Sequence, residues 1–101
     1  MNFEQIEELV VSWGIDRSIF EQSCPRDQLK KLAEELVELC EGVHEYDRNK
    51  ICDAIGDMLV VLTMVAKFNN LDLKTCYSIA YNEIKDRKGK MVNGLVVKET
   101  I

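Results

Sequence analysis

Two short acidic stretches carry the residues best suited to chemistry in this sequence. The first contributes Glu34, Glu35 and Glu38, and the second contributes Asp53 and Asp57. Both stretches contain carboxylates at i, i+3 or i, i+4 spacing, which on a helix places them on one face. Two unit charges ~5 Å apart repel by roughly 3 kcal/mol at an effective dielectric of about 20. Two facing stacks therefore need a compensating cation, and a divalent metal ion is the simplest candidate.

The ligand atoms on offer are oxygens. The chain has a single histidine, His44, and its four cysteines show no C-x-x-C spacing, so the usual Cys/His zinc sets cannot be assembled. Carboxylate oxygens favour Mg²⁺ or Mn²⁺ over Zn²⁺. We therefore expect Mg²⁺, with Mn²⁺ as the alternative. Without metal, the glutamates would form a solvated acidic face, and the aspartates would need a salt bridge to another helix.

Length and composition indicate one globular domain, residues 1–101. The chain is 47% apolar and 31% charged with one proline, which is typical of a soluble folded protein. Its net charge of -5 argues against broad binding of nucleic acid or anionic membranes. The N-terminus does not resemble a signal peptide, and the longest apolar stretch is too short to span a bilayer. We therefore expect a cytoplasmic protein that binds neither nucleic acid nor membrane.

Hydrophobic periodicity predicts two helices in the first half of the chain. The first covers residues 2–13 and ends at Gly14, and an ordered connection without regular structure follows. The second begins at Pro25, a residue favoured in a first helical turn, and runs to about Glu41 with Gly42 as its stop. It has one apolar side and one acidic side, with Glu35 at the flank of the acidic side.

Two more helices and a hairpin are predicted in the second half. The third helix, residues 48–68, is apolar nearly all round, so it should be central or lie in a subunit interface. The fourth runs from Leu73 to about Lys88, and an Asn93-Gly94 pair between apolar residues predicts a short hairpin. Most cysteines fall on apolar helix faces, so all four are expected to be reduced core thiols: Cys24, Cys40, Cys52 and Cys76.

The two acidic motifs together resemble the MazG-like branch of the all-α nucleoside triphosphate pyrophosphohydrolases. That family carries E-E-x-x-E on one helix, matched by residues 34–38, and E-x-x-D on the next. The resemblance spans most of the chain, since the stretches 11–14, 24–29 and 81–89 also look like small single-domain members. One position departs from the pattern. Ala54 stands where the family usually has Glu, and Asp53 lies one position earlier, on nearly the same face as Asp57.

The resemblance implies an all-α, four-helix MazG-like bundle. The apolar third helix predicts a homo-oligomer, a homodimer or homotetramer, in which neighbouring chains complete the helical bundle. The resemblance also implies hydrolysis of a (deoxy)nucleoside triphosphate at the α-phosphorus, giving a monophosphate and pyrophosphate, in the housecleaning of nucleotide pools. The expected metal ligands are Glu34, Glu35, Glu38, Asp53 and Asp57. One of the glutamates that is not fully used as a ligand, Glu34 or Glu35, would accept the proton of the attacking water.

Substrate contacts are expected mainly from the end of the fourth helix and the loop after it. The residues expected to contact the phosphates or the sugar are Asn82, Lys85, Arg87 and Lys88. Bases at a helix C-terminus are also favoured by the helix dipole, without any ligand. Trp13 and Gln28 are further candidates for contacts to the base, although Trp13 continues an apolar helical face that favours a core position.

Three other functions fit the same residues. Within the enzyme class, the chain could prefer dCTP or dUTP, or hydrolyse phosphoribosyl-ATP, and a substrate panel separates these. A non-catalytic helical interaction module would show no metal-dependent turnover. A metal buffer or sensor would bind Mg²⁺ or Mn²⁺ without any effect of added nucleotide on that binding.

Overall fold

The computed structural model describes residues 1–98 as four long helices, one short helix and a C-terminal hairpin. The elements are α1 (Phe3–Asp16), α2 (Ile19–Gln22), α3 (Pro25–Glu45), α4 (Arg48–Phe68), α5 (Leu73–Ile84), β1 (Gly89–Val92) and β2 (Leu95–Lys98). The predicted helical fold with a short C-terminal hairpin is thereby confirmed. Within residues 1–98, no helix is both long enough and apolar enough to cross a membrane.

The most extensive packing between two elements is that of α3 against α4, which are connected by the turn at Tyr46 and Asp47. The prediction that α3 stops at Gly42 is wrong, since the helix continues to Glu45 and ends where Tyr46 adopts a positive φ of 55°. Gly42 is buried, and a Cβ atom there would lie 3.1 Å from the backbone nitrogen of Ile51. This glycine therefore serves the close approach of α4.

A second glycine, Gly14, was also predicted to end a helix and does not. Helix α1 continues past it to Asp16. Gly14 is buried, and a Cβ atom there would lie 2.7 Å from the sulfur of Met64 in α4. The connection predicted after it contains the single-turn helix α2, whose Phe20 ring lies 5.1 Å from that of Phe68. Gly14 lies where α1 packs closely against α4, although the low helix propensity of glycine had suggested that the helix ends there.

Carboxylates hold the N-terminus of α5 from two sides. Asp72 caps the helix by accepting a hydrogen bond from the backbone N–H of Thr75 at 2.8 Å. The buried carboxylate of Glu7 in α1 accepts the backbone N–H of Leu73, another unpaired donor of the first turn. At its other end α5 stops at Ile84 and not at Lys88, so most of the basic residues predicted in its last turn lie in the loop before β1.

The cap formed by Asp72 predicts a pH-dependent contribution to stability. The hydrogen bond from Thr75 holds the pKa of Asp72 below its ordinary value of 3.8. Because this pKa is lowered on folding, the stabilisation is present above pH 3.8 and is lost as the pH falls through the lowered value. We expect Asp72→Ala to lower the Tm at pH 7, and the difference from wild type to shrink below pH 3.8. Thermal melts over this range that show a constant difference would contradict the assignment.

The buried core of a single chain is small. Its buried apolar residues are Ala54, Val61, Met64 and Ala66, all on α4, which confirms the central position predicted for that helix. The radius of gyration is 16.1 Å, whereas a compact domain of this length would have roughly 13 Å. One chain therefore leaves much of its apolar surface uncovered.

The cysteine prediction is half right. All four are free thiols, as expected. None is in the core, because Cys24, Cys40 and Cys52 are exposed and Cys76 is half-buried. The predicted apolar helix faces do carry these cysteines, but in one chain the faces are largely exposed to solvent.

Candidate metal centre

Three carboxylates from α3 and α4 converge at the surface of the helix pair. Glu35 and Glu38 are three residues apart on α3, and Asp57 comes from the facing helix α4. Each offers one oxygen, and these oxygens all lie within 4.8 Å of one another. We call this group, Glu35, Glu38 and Asp57, the acidic centre. It unites one residue of the second acidic stretch with two of the first.

Glu35 is the residue on which the acidic centre depends. It was predicted at the flank of an acidic face, but it is buried, with 4% of its surface exposed. One carboxylate oxygen, Oε1, lies 3.3 Å from the ammonium of Lys31. The other, Oε2, is buried and has no hydrogen-bond partner among residues 1–98. A buried carboxylate oxygen without a partner is costly, so this atom marks the place where a ligand would compensate it.

The charges of the acidic centre act on one another. The charge of Glu35 is the main reason why the pKa of Glu38 is raised above its ordinary range. Partial loss of hydration, followed by the charge of Glu35, raises the pKa of Asp57. Lys31 responds in the opposite sense: its hydrogen bond to Glu35 raises the pKa of the ammonium. The single chain thus gathers more negative charge here than Lys31 neutralises.

The donor set fits a hard divalent cation. It consists of carboxylate oxygens, at least one of them buried and unpartnered, and this suits Mg²⁺ or Mn²⁺. Glu35, Glu38 and Asp57 are the residues that would hold the cation.

The other two predicted ligands lie beside the acidic centre. The side chain of Glu34 is 69% exposed, and its Oε2 lies 3.6 Å from Lys31. Asp53 is exposed near the start of α4, and its charge is a smaller contribution to the raised pKa of Asp57. Ala54, with 1% of its surface exposed, occupies the position at which the MazG-like pattern has a glutamate.

An apolar groove of 630 Å³ opens next to Asp57, between α1 and α4. Trp13 lines it and is 42% exposed, so the core position favoured by its helical pattern is not what the structure shows. The guanidinium of Arg17 lies 4.6 Å from the centre of the Trp13 ring. Sequence reasoning did not assign Ile6 and Leu9 to this groove, because their helical spacing is that of core residues.

The remaining predicted contacts are not assembled around the acidic centre in one chain. Asn82 lies in a shallow depression formed by α5 itself, together with Tyr77 and Tyr81. Lys85 and the bases after it are exposed. Gln28 is half-buried, and its amide nitrogen donates a hydrogen bond to Ser23 at 3.0 Å, which ties the start of α3 to the preceding loop.

Comparison with known proteins identifies the family. Residues 15–84, which include the whole of α3 and α4, match the sequence profile of the family PRA-PH, Phosphoribosyl-ATP pyrophosphohydrolase. The chain belongs to this family. The membership confirms the resemblance to the MazG-like all-α pyrophosphohydrolase superfamily and points to hydrolysis of an acid anhydride in a nucleotide-like substrate.

A phage protein is similar to this family member over the same part of the chain. It comes from Haemophilus phage HP1 (strain HP1c1) and is named "Uncharacterized 18.2 kDa protein in rep-hol intergenic region". The two are 39% identical over 71 residues, which are 70% of this chain and 44% of the phage protein. The chain therefore spans less than half the length of that relative. No solved structure matches the chain at a significant level.

In this PRA-PH chain, Glu35→Gln should weaken metal binding and stabilise the metal-free protein. The charge of Glu35 disfavours the ionised forms of Glu38 and Asp57 in the folded state. Its removal should therefore raise the Tm in the presence of a chelator, whereas the Tm gain on adding Mg²⁺ should become smaller than in wild type. Glu41→Gln, a change in an exposed residue one turn beyond Glu38, is the matched control. An unchanged response of the Glu35 variant to Mg²⁺ would contradict the assignment.

Proposed function

We propose that the chain hydrolyses (deoxy)nucleoside triphosphates at the α-phosphorus, releasing a nucleoside monophosphate and pyrophosphate. The observation that carries this proposal is the unpartnered, buried oxygen of Glu35 facing two further carboxylates. Membership of a pyrophosphohydrolase family supplies the reaction class. Clearance of unwanted nucleotides, in the cytoplasm, is the physiological role that we propose for this activity.

The chemistry divides between the metal and the side chains. A divalent ion held by Glu35, Glu38 and Asp57 would neutralise charge on the phosphate oxygens and lower the pKa of an attacking water. The oxygen of that water bonds to the α-phosphorus, and the bond from this phosphorus to the oxygen bridging the α- and β-phosphates breaks. Pyrophosphate departs with the bond electrons, and a nearby carboxylate takes the proton of the water.

Glu34 is the proton acceptor that we favour. It lies one turn before Glu38 on α3, its side chain is exposed, and it is not among the three converging carboxylates. Its conversion to Gln should lower kcat by roughly 10² to 10⁴-fold, the usual range for loss of a general base, while the affinity for Mn²⁺ stays near wild type. Steady-state kinetics and Mn²⁺ titration separate the two effects. A large loss of metal affinity would make Glu34 a ligand instead.

The apolar groove beside Asp57 is the proposed site for the base. Trp13 there offers an exposed aromatic face next to a carboxylate of the acidic centre. Asp53 is proposed as an outer contact to the metal, acting through water, because it lies outside the group of three converging carboxylates. Gln28, Asn82, Lys85, Arg87 and Lys88 remain proposed contacts to the substrate.

A second substrate is favoured by the family match. Phosphoribosyl-ATP carries the same triphosphate and would release pyrophosphate by the same bond cleavage, so the acidic centre serves either substrate. The dCTP- or dUTP-preferring enzyme is a narrower version of the main proposal. The acidic centre does not distinguish these substrates, because it would contact only the phosphates and the metal.

A substrate panel tests the proposal. The purified protein is incubated with ribo- and deoxyribonucleoside triphosphates and with phosphoribosyl-ATP, with Mg²⁺ or with a chelator, and the products are separated by chromatography. We expect monophosphate and pyrophosphate, only with metal. Release of diphosphate and orthophosphate would contradict attack at the α-phosphorus. No turnover on any substrate would favour the interaction module, or the metal sensor if Mn²⁺ still binds.

Homo-oligomerisation, as a dimer or a tetramer, is part of the proposal. The support is the small core of one chain and the exposed apolar side chains of α3 and α4, such as Leu36, Val37 and Ile55. Burial of such side chains is the main favourable term in association. Light scattering at micromolar concentration should give a mass above that of one chain.

A further inference from the structure

A cavity of 810 Å³ lies between α1, the end of α4 and the start of α5. We call it the α1–α5 cleft. It is larger than the apolar groove, and α1 separates the two: Glu7 and Val11 line the cleft, whereas Leu9 and Trp13 line the groove. The functional site described above therefore leaves the α1–α5 cleft without a role.

Two buried polar side chains line the α1–α5 cleft, and both offer only hydrogen-bond acceptors to it. Glu7 has 9% of its surface exposed, and its Oε2 accepts the backbone N–H of Leu73. Thr63 has 4% of its surface exposed, and its hydroxyl donates to the carbonyl oxygen of Leu59 at 2.7 Å. A carboxylate has about four acceptor sites, and a hydroxyl that has already donated its hydrogen can still accept. A ligand that reaches these two groups must therefore supply the donors.

The charged side chains of the cleft favour a cationic ligand. Four carboxylates line it, against the two ammonium groups of Lys67 and Lys74. One of these ammonium groups, that of Lys74, is already paired with Glu4 at 2.9 Å. The backbone donors at the start of α5 do not attract an anion here, because carboxylates accept the N–H groups of its first turn. The cleft thus keeps an excess of negative charge.

The arrangement of the carboxylates fits an organic cation better than a metal ion. Within residues 1–98, the acidic centre is the one group of three carboxylates whose oxygens lie within 4.8 Å of one another. The carboxylates of the α1–α5 cleft are more widely spread, whereas a metal ion needs its oxygen ligands close together. Apolar side chains lie between them, those of Val11, Leu71 and Ile79. Spread acceptors on a partly apolar wall match nitrogen donors joined by an aliphatic chain.

We propose that the α1–α5 cleft binds an aliphatic amine that carries two or more ammonium groups. One ammonium donates to Glu7 and Thr63, and the alkyl chain packs on the apolar part of the wall. A second ammonium lies near the other carboxylates of the cleft, Glu8 and Asp72. This site shares no residue with the acidic centre, so it does not depend on the hydrolysis proposed above.

Calorimetric titration of the purified protein with three amines tests the proposal. The probes are spermidine, 1,4-diaminobutane and butylamine, which have three, two and one ammonium groups. We expect one site per chain, and butylamine should bind at least about tenfold more weakly than the diamine because it lacks one charge-assisted contact. Trp13, the only tryptophan, lies on α1 and should change its fluorescence over the same concentration range. Absence of binding, or equal binding of all three amines, would overturn the proposal.

Two substitutions in the cleft locate the bound amine. Glu7→Gln removes the charge but keeps an amide oxygen that accepts the N–H of Leu73, and it should weaken spermidine binding at least about tenfold. Ser78→Lys places a competing ammonium in the cleft from an exposed position on α5, and it should weaken binding to a similar extent. Because Ser78 is exposed, this variant decides the question even where Glu7→Gln does not fold.

The controls make the same charge changes elsewhere. Glu41→Gln and Gln22→Lys are exposed and do not line the cleft, so both should bind spermidine like the wild type. Glu38→Gln, which alters the acidic centre, should also leave this binding unchanged. Undiminished binding by both cleft variants, or its loss in Glu38→Gln, would place the amine elsewhere and overturn the proposal. No measurement here uses turnover, so an inactive enzyme leaves this proposal standing, and a failure to bind amines leaves the proposed function standing.

Discussion

Glu38→Gln and Asp57→Asn should each lower metal-dependent hydrolysis by at least about a hundredfold. Each substitution removes one of the three carboxylates whose oxygens converge within 4.8 Å of one another, and keeps the size of the side chain. A bound metal contributes several kcal/mol to stabilising the transition state, and each 1.4 kcal/mol is about tenfold in rate. Loss of one ligand from so small a set should forfeit much of that contribution. Pyrophosphate release at saturating Mg²⁺ is the measurement.

Glu41→Gln is the control for this pair of substitutions. Glu41 is exposed, lies on the same helix and pairs with Lys50 at 3.0 Å, an exposed ion pair that contributes little to stability. Its activity should remain near that of wild type. A Glu38 variant that is as active as the Glu41 variant, with the same requirement for Mg²⁺, would show that the acidic centre is not where hydrolysis occurs.

Met64→Ala should produce the largest loss of stability in the chain. Met64 is 1% exposed and is the largest fully buried side chain among residues 1–98, where it packs against Gly14 of α1. Truncation of a buried methionine to alanine costs about 2 to 5 kcal/mol, because apolar contacts are lost and a cavity remains. For a domain of this size, each kcal/mol lowers the Tm by roughly 4 to 8 °C.

Leu71→Ala provides the comparison for Met64→Ala. Leu71 is 53% exposed in the turn between α4 and α5, and its truncation should cost well under half as much. Both melts need the same protein concentration, because association with a second copy would shift the Tm. Equal losses for the two variants would contradict the position of Met64 at the centre of the helix packing.

Most of the fold could be predicted because hydrophobic spacing and caps are local signals. The four long helices follow from apolar residues at helical spacing, and the starts of α3 and α5 from Pro25 and Asp72. Two of the three errors at helix ends, those of α1 and α3, share one cause. Gly14 and Gly42 were interpreted by their poor helix propensity, whereas they are buried where another helix comes close. That requirement is set by tertiary packing, which a local pattern does not contain.

The candidate site could be predicted in kind but not in detail. The spacing of the carboxylates indicated that they share helix faces, and the structure brings Glu35, Glu38 and Asp57 together. Which glutamate turns inward depends on the angle between α3 and α4, so the burial of Glu35 could not be derived from periodicity. The same limit applies to Trp13, whose apolar helix face proved to be the wall of a groove.

The exposed apolar residues of α5 show a different limit of sequence reasoning. Apolar residues at helical spacing on α5, such as Tyr77 and Tyr81, indicate a face to be covered, and they do not say by which chain. The structure of one chain leaves this face exposed. The same holds for the exposed cysteines, Cys40 and Cys52, which lie on helix faces that were predicted to be core.

Hydrolysis in ¹⁸O-labelled water tests the central claim most directly. Wild-type protein with Mg²⁺ and its best substrate from the panel is allowed to turn over once, and the label is located by phosphorus NMR or mass spectrometry. Attack of water on the α-phosphorus, assisted by the acidic centre, predicts label in the nucleoside monophosphate and none in the pyrophosphate. Label in pyrophosphate or orthophosphate, or turnover that persists in a chelator, would contradict it.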